Sequence, residues 1–110
     1  MNMEGKSIFV EFFGDYPIIR VLDFLITFRE FDYNKKDIVR NADVAWNTLK
    51  MFWKEFERNK IIVGTRKVGK SIMYKLNEKN PIVKELIELN KVLMLQSMEE
   101  IEEKVVIRAK

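Results

Sequence analysis

The spacing of apolar positions in the first half of the chain predicts two helices separated by a short loop. Between residues 17 and 29 apolar side chains recur at alternating steps of three and one, the pattern of an amphipathic helix. Pro17 suits its first position, because an N–H there has no partner within the helix. A shorter helix is predicted over 35–42, with Asn34 as its N-cap and Asp37 at the capping-box position.

A third helix is predicted over the segment AWNTLKMFWKEFERNK, which contains no glycine or proline. One wide face is apolar, at steps of three, one and three: Leu49, Phe52, Trp53 and Phe56. We expect these aromatic side chains in the core. Asn59 is expected to adopt the left-handed conformation that ends a helix.

Two apolar runs around the basic segment TRKVGKS predict a β-hairpin over residues 61–76. In the second strand three apolar residues alternate with Met73 and Lys75, as in a strand that buries one face: Ile72, Tyr74 and Leu76. Gly69 supplies the positive φ that a tight turn requires. The hairpin tip therefore carries a turn surrounded by cations.

The last segment, from Pro81, predicts a helix of about 25 residues, which is longer than a domain of this size needs. It has two apolar stripes, one with Val83, Ile87, Met94, Met98, Ile101 and Val105, the other with Ile82, Leu86, Leu89 and Leu93. Since one small domain covers one stripe, we expect the helix to meet a second copy of the chain. The predicted dimer contacts are Leu86, Leu89, Leu93, Met94 and Met98. The alternative is a monomer whose tail frays after Gln96.

The N-terminal run SIFVEFF is too short for its period to distinguish strand from helix. Its apolar side chains exceed what the first helix can cover. We expect this run to add to the same dimer interface.

Composition narrows the class of protein. The chain has 110 residues, 47% of them hydrophobic and 34% charged, which is typical of one globular domain. It contains no cysteine and no histidine, so it lacks a thiolate, the commonest general base and the commonest metal ligands. No run approaches the ~20 apolar residues of a transmembrane helix, and the first residues make a poor signal peptide. We expect a soluble cytoplasmic protein with no cofactor and no membrane partner.

Charge is distributed unevenly along the chain. The formal net charge is −3 for residues 1–33, +7 for 34–80 and −1 for 81–110. The excess of cations in the middle segment indicates a polyanionic partner. A lysine-rich solubilising surface explains the same excess equally well.

Three sequence features within this order of elements are typical of a known fold. Val44 is an apolar residue in the turn before the third helix, Asn47 begins the sequence N-T-L, and Tyr74 begins a strand ending in Y-K-L-N. With these features residues 37–77 resemble the winged helix-turn-helix of archaeal and bacterial transcription regulators, MarR- and ArsR-like in the broad sense. Together with the first predicted helix, the resemblance covers most of residues 17–77.

The resemblance implies a mainly α fold with a small β-hairpin, called the wing, and a long C-terminal dimerisation helix. Residues 1–80 would form the DNA-binding part and residues 81–110 the dimerisation helix of the same domain. It implies a homodimer on double-stranded DNA, with the third helix in the major groove. The implied DNA contacts are Trp46, Asn47, Thr48, Lys50 and Lys54 on that helix and Arg66, Lys67 and Lys70 on the wing.

Each implied contact has a plainer explanation. Trp46 is either a DNA contact or a second core aromatic, and Asn47 is either a base contact or an ordinary exposed residue. Arg66 and Lys67 either meet phosphates or protect an edge strand from aggregation.

The chain also departs from the family, because Asp43 and Ala45 stand where many relatives have glycine and serine. Lys60 likewise stands where relatives often turn on glycine.

Two functions remain open from the sequence. The first is a dimeric, sequence-specific DNA-binding regulator, and the alternative is a winged-helix module that binds protein and not DNA. An enzyme is disfavoured, because the chain has no histidine, no cysteine, no phosphate-binding glycine loop and no convincing pair of carboxylates. A small-molecule effector between the terminal and first helices is compatible with the sequence, but no residue designates one.

Overall fold

The computed structural model describes the backbone of residues 5–109 and the side chains of residues 5–102. Five helices and one two-stranded antiparallel hairpin make up this described part: α1 Ile8–Phe13, α2 Pro17–Thr27, α3 Lys35–Ala42, α4 Trp46–Arg58, β1 Ile62–Val68, β2 Ser71–Leu76 and α5 Pro81–Ala109. The predicted order of elements is confirmed, and so is the mainly helical fold with a hairpin and a long final helix.

The N-terminal run is a helix and not a strand. The Ser7 side chain caps α1 by accepting a hydrogen bond from the Val10 N–H at 3.1 Å. Gly14 ends it with a φ of 103°, a conformation that favours glycine. Phe9 and Val10 are buried, so α1 contributes to the core.

The predicted starts of α2 and α3 are confirmed. Pro17 opens α2, which ends at Thr27, two residues before the predicted limit. The Asn34 side chain caps α3 by accepting from the Asp37 N–H at 2.8 Å. The Asp37 carboxylate pairs with Arg40 at 2.8 Å, so it supports the first turn of α3 from the outside.

The turn between α3 and α4 is held by a residue on α2. Asp43 takes the left-handed conformation at a φ of 54°, a conformation that favours glycine but that aspartate tolerates. The Arg20 guanidinium donates to the carbonyls of Ala42 and Asp43, each at 3.0 Å. It also pairs with the Asp15 carboxylate at 2.9 Å, which holds the pKa of Asp15 below its usual range. Arg20 thus fixes α2 against the helix-turn-helix.

Helix α4 ends at Arg58 with Asn59 as its C-cap, but the expected left-handed conformation at Asn59 was wrong. Asn59 has a φ of −85°, and Lys60 takes the left-handed conformation at 55°. The reason is a Schellman motif, in which the Lys60 N–H donates to the Glu57 carbonyl at 3.1 Å and the Ile61 N–H to the Phe56 carbonyl at 2.8 Å. In this motif the residue after the C-cap takes the positive φ. The Asn77 and Asn80 side-chain amides donate to the Lys60 carbonyl at 3.1 and 2.9 Å, and Asn80 also reaches the Asn59 carbonyl at 2.8 Å. These bonds fix the backbone at the turn into β1.

The hairpin turns at two residues, Gly69 and Lys70, with Val68 paired to Ser71 and Gly69 at a φ of 60°. A β-bulge at Thr65 interrupts the register. Backbone bonds of 2.8 and 2.7 Å tie Tyr33, in the α2–α3 loop, to Tyr74.

The prediction of one buried face on β2 holds only for the base of the hairpin. Tyr74 and Leu76 are buried, whereas Ile72 is 50% exposed. Ile72 lies nearer the tip, which extends beyond the core.

The core lies where α1, α2, α3 and α4 meet the base of the hairpin and the start of α5. Leu49, Trp53 and Phe56 of α4 are buried, as predicted, and Phe52 packs partly against them. The Trp53 ring meets Tyr74 edge-on, with centroids 5.1 Å apart. The inner face of α4 is therefore fixed, and its outer face is left to solvent.

Helix α5 packs on the core near its start and lies beside α1 farther along. Val83 is fully buried, and Leu86 and Ile87 pack against the core. These three residues come from both predicted stripes, so the division into one covered and one uncovered stripe was wrong. A straight helix meets a small domain over a short patch, and the molecule measures 60 × 28 × 22 Å along its principal axes. Over the described residues no helix is long and apolar enough to cross a membrane.

Candidate nucleic-acid interface

The outer face of α4 presents most of the residues singled out from the sequence. Trp46, Asn47, Lys50 and Lys54 are exposed and Thr48 is half-buried. Trp46, Lys50 and Lys54 are spaced by four residues and form one row along the helix. Ala45 provides no side-chain cap, so the first N–H groups of α4 keep their hydrogen-bonding capacity for another partner.

The wing tip presents two exposed cations, Lys67 and Lys70, on either side of Gly69. Within residues 5–102 neither of them forms an ion pair, and the same holds for Lys50 and Lys54. Their positive charge is therefore not compensated by a neighbouring carboxylate of the described chain.

Arg66, the third predicted cation of the wing, forms an ion pair with a carboxylate of the same chain. Its Nε and Nη2 donate to the Asp32 carboxylate at 2.9 and 3.1 Å. The Thr65 hydroxyl donates to the same carboxylate at 2.5 Å. These hydrogen bonds lower the pKa of Asp32 to about 2 and raise the pKa of Arg66. Asp32 was not identified from the sequence.

An open groove connects α4 to the wing. Its volume is about 450 Å³, and it is lined by Asn34, Lys35, Lys36, Trp46, Lys70, Ser71, Ile72 and Tyr74. Trp46 is 47% exposed, so it forms part of the groove wall and not of the core. The groove brings Trp46 and Lys70 together, which the sequence placed only on separate elements.

Two lysines of the groove, Lys35 and Lys36, were missed from the sequence. Lys36 is exposed. The Lys35 ammonium lies 5.6 Å from the Trp53 ring centroid and 5.9 Å from that of Tyr74, within the range of a cation–π interaction. Their position at the start of α3 was the available signal, because a helix-turn-helix places that end beside its second helix.

A separate surface lies along α1 and α5 and combines exposed apolar side chains with polar ones. A shallow groove of about 340 Å³ runs between them, lined by Ile8, Glu11, Phe12, Leu93, Gln96, Ser97 and Glu100. Phe12 is 63% exposed beside it. Of the predicted dimer contacts, Met94 and Met98 are exposed, Leu89 and Leu93 are half-buried, and Leu86 also packs against its own core. Val92 and Leu95, which were not predicted from the sequence, are exposed as well.

Comparisons with known proteins place the fold. No protein-family model matches the sequence, and no curated protein does. Among solved structures, a mutant of ZitR from Lactococcus lactis in its apo form matches with a TM-score of 0.59. The match has 17% sequence identity and covers 91% of this chain and 82% of that one. The chain thus has a winged-helix fold, in which α3 and α4 form the helix-turn-helix and β1–β2 the wing.

Proposed function

We propose that the protein is a transcription regulator that binds double-stranded DNA as a homodimer in the cytoplasm. The observation that carries this proposal is the row of uncompensated cations on the outer face of α4, continued by Lys67 and Lys70 on the wing. In the winged-helix fold these two elements face the same duplex. A protein-binding module has no need for a cationic face of this kind, and an anionic polymer is its natural partner.

Helix α4 is the element that would enter the major groove. Asn47 and Thr48 stand at its N-terminal turn, where side chains reach base edges. An asparagine amide can pair with both N6 and N7 of adenine, and a threonine hydroxyl can meet a base or a phosphate. Lys50 and Lys54, farther along the same exposed face, suit the phosphates that border the groove.

The groove between α4 and the wing would follow one DNA strand. Lys35, Lys36 and Lys70 supply positive charge along it, and Trp46 offers a flat apolar surface for a thymine methyl group or a sugar. Lys67 and Lys70 at the tip supply the wing's uncompensated charge. This arrangement combines phosphate contacts, which position the protein, with base contacts, which give specificity.

The apolar surface on α1 and α5 supports a dimer. Leu95 and Met98 are exposed on α5 and Phe12 on α1. Each large apolar side chain left in water forgoes roughly 1.5–3 kcal/mol of burial. An isologous two-fold contact covers both sets at once and sets two copies of α4 on one side, to meet half-sites about 34 Å apart. In this proposal residues 1–80 form the DNA-binding part and residues 81–110 the dimerisation helix of one domain.

Selection of bound sites from random duplex DNA tests the proposal. We expect enrichment of a sequence with two-fold symmetry and half-sites about one helical turn apart, or roughly 10 base pairs. Asn47→Ala should lose the enrichment, whereas the control Lys79→Ala, in the exposed loop before α5, should keep it. A folded protein that retains no duplex at low salt would reject the proposal and favour a winged-helix module that binds protein.

A further inference from the structure

Asp32 lies at the junction between the α2–α3 loop and the wing. Its side chain is 16% exposed, whereas the Arg66 side chain that it binds is 63% exposed. The neighbouring Tyr33 is bonded to Tyr74 of β2 through both backbone groups, at 2.8 and 2.7 Å. The backbone bonds of Tyr33 therefore hold the Asp32 carboxylate in place, and the carboxylate faces the wing.

The β-bulge explains why two consecutive residues of β1 reach the same carboxylate. In a regular strand Thr65 and Arg66 would point to opposite faces. The bulge at Thr65 breaks this alternation, so the hydroxyl and the guanidinium both bond Asp32. The Asp32 carboxylate thus accepts three hydrogen bonds, one from Thr65 and two from Arg66. The two from Arg66 form a bidentate pair, which is a stronger and more specific contact than a single surface hydrogen bond.

The pair also changes the charge that the wing offers to a polyanion. A phosphate would have to displace the carboxylate from Nε and Nη2 of Arg66 and leave Asp32 as an unpaired anion beside it. Charge-assisted pairs of this geometry are among the stronger hydrogen bonds, and an anion left beside a phosphate adds repulsion. Displacement is therefore unfavourable, and the cationic charge of Arg66 stays compensated on the duplex.

We infer that Asp32 is a built-in counterion of the wing: it holds Arg66 as a positioning residue that makes no phosphate contact, and it limits binding to non-specific DNA. This inference rests on the proposed DNA-binding function. It assigns the wing's phosphate contacts to Lys67 and Lys70. It also means that Asp32, which lies outside the wing, weakens the part of the DNA affinity that does not depend on sequence.

A first measurement tests the pair without DNA. The carboxyl of Asp32 is titrated by NMR in the wild-type protein and in Arg66→Gln. We expect the wild-type pKa to lie near 2 and to rise toward the ordinary aspartate value in the variant. An ordinary pKa in the wild-type protein would overturn the inference, because the carboxylate would then not hold Arg66 in solution.

A second measurement tests the consequence on DNA. The slope of log K against log salt is measured on random duplex for the wild type, for Asp32→Asn and for the double variant Asp32→Asn/Arg66→Gln. Asp32→Asn keeps the shape of the side chain and releases Arg66, so we expect tighter binding and a slope steeper by up to about 0.9. The double variant should return to the wild-type slope. Circular dichroism and thermal melting check that each variant is folded.

The outcomes separate the inference from the proposed function. An unchanged slope in Asp32→Asn would overturn the inference, and so would a double variant shallower than the wild type by about 0.9, because Arg66 would then contact phosphate in the wild type. Lys67→Ala is the matched control, and its slope should itself become shallower by up to about 0.9. If the wild type binds no duplex at all, the proposed function fails, whatever the NMR titration shows for the pair.

Discussion

Replacing Arg20 should loosen the helix-turn-helix, although this residue lies outside it. Arg20→Ala removes hydrogen bonds to the Ala42 and Asp43 carbonyls, the first of which is partly buried. It also removes the exposed pair with the Asp15 carboxylate at 2.9 Å and a longer bond to the Asp15 carbonyl at 3.5 Å. Hydrogen bonds to charged groups contribute roughly 1.5–3 kcal/mol where they are shielded, and an exposed one contributes less. We therefore expect the free energy of unfolding to fall by about 2 kcal/mol. For a domain of this size that lowers the melting temperature by about 8 °C.

Arg40→Ala is a matched control for this experiment. It removes an exposed pair three residues apart on α3, and such pairs contribute about 0.3–0.5 kcal/mol. Thermal melting followed by circular dichroism measures both variants under one condition. Because Arg20 also orients α3 and α4 against α2, its replacement should weaken duplex binding beyond the effect of removing one charge. Equal melting temperatures for Arg20→Ala and Arg40→Ala would refute the assignment of Arg20 as the residue that holds the turn.

Three further predictions follow from the surfaces. Glutamates at Leu89 and Leu93 should yield monomers that bind DNA far more weakly, as sedimentation velocity and gel shifts would show; a wild type already monomeric at micromolar concentration would refute the dimer. Asn47→Ala should cost about 1–3 kcal/mol on a selected site and much less on random duplex; equal losses in a binding titration would mean that Asn47 reads no base. The pKa of Asp32 is lowered to about 2, so its ion pair with Arg66 stabilises the fold above the ordinary aspartate pKa and is lost as the pH falls from about 4 to 2. In that pH range the melting temperature of the wild type should therefore fall more steeply than that of Asp32→Asn, and parallel curves would contradict this prediction.

The local pattern was sufficient for the helices and the hairpin. The 3.6-residue period of α2 and α4 and the caps at Pro17 and Asn34 are set by residues within a few positions of each other. The core aromatics of α4 followed from the same period. These elements were predictable because the interactions that specify them lie within one helix or its first turn.

The remaining features depend on residues far apart in the chain. Arg20 bonds carbonyls 22 and 23 residues away, and Asp32 bonds a side chain 34 residues away. No period or cap in the sequence marks either residue. The same holds for the turn into β1, where Asn77 and Asn80 bond the Lys60 carbonyl from 17 and 20 residues away.

Which face of a helix or strand is buried was also harder to predict than the helix or strand itself. The period of β2 indicates which residues share a face, but not where along the strand the core ends, so Ile72 was expected inside and lies outside. On α5 the predicted stripes run along the helix, whereas its contact with the domain takes residues from both stripes, with Val83 and Leu86 on the core and Leu93 beside α1. The exposed positions of α4 could be predicted one by one from the helical period, but the groove that brings Lys35 and Lys36 beside Trp46 forms only when the chain folds.

The salt dependence of duplex binding by Lys67→Ala/Lys70→Ala tests most directly whether the wing and α4 bind DNA together. We predict that this variant binds all sequences more weakly, and to a similar extent. Its slope of log K against log salt should be shallower by up to roughly 0.9 for each phosphate that the wing no longer neutralises. A control with two exposed lysines outside the named DNA and dimer contacts replaced, Lys79→Ala/Lys84→Ala, should keep the wild-type slope. Identical slopes for the wing variant, the control and the wild type would contradict a DNA-binding surface shared by the wing and α4.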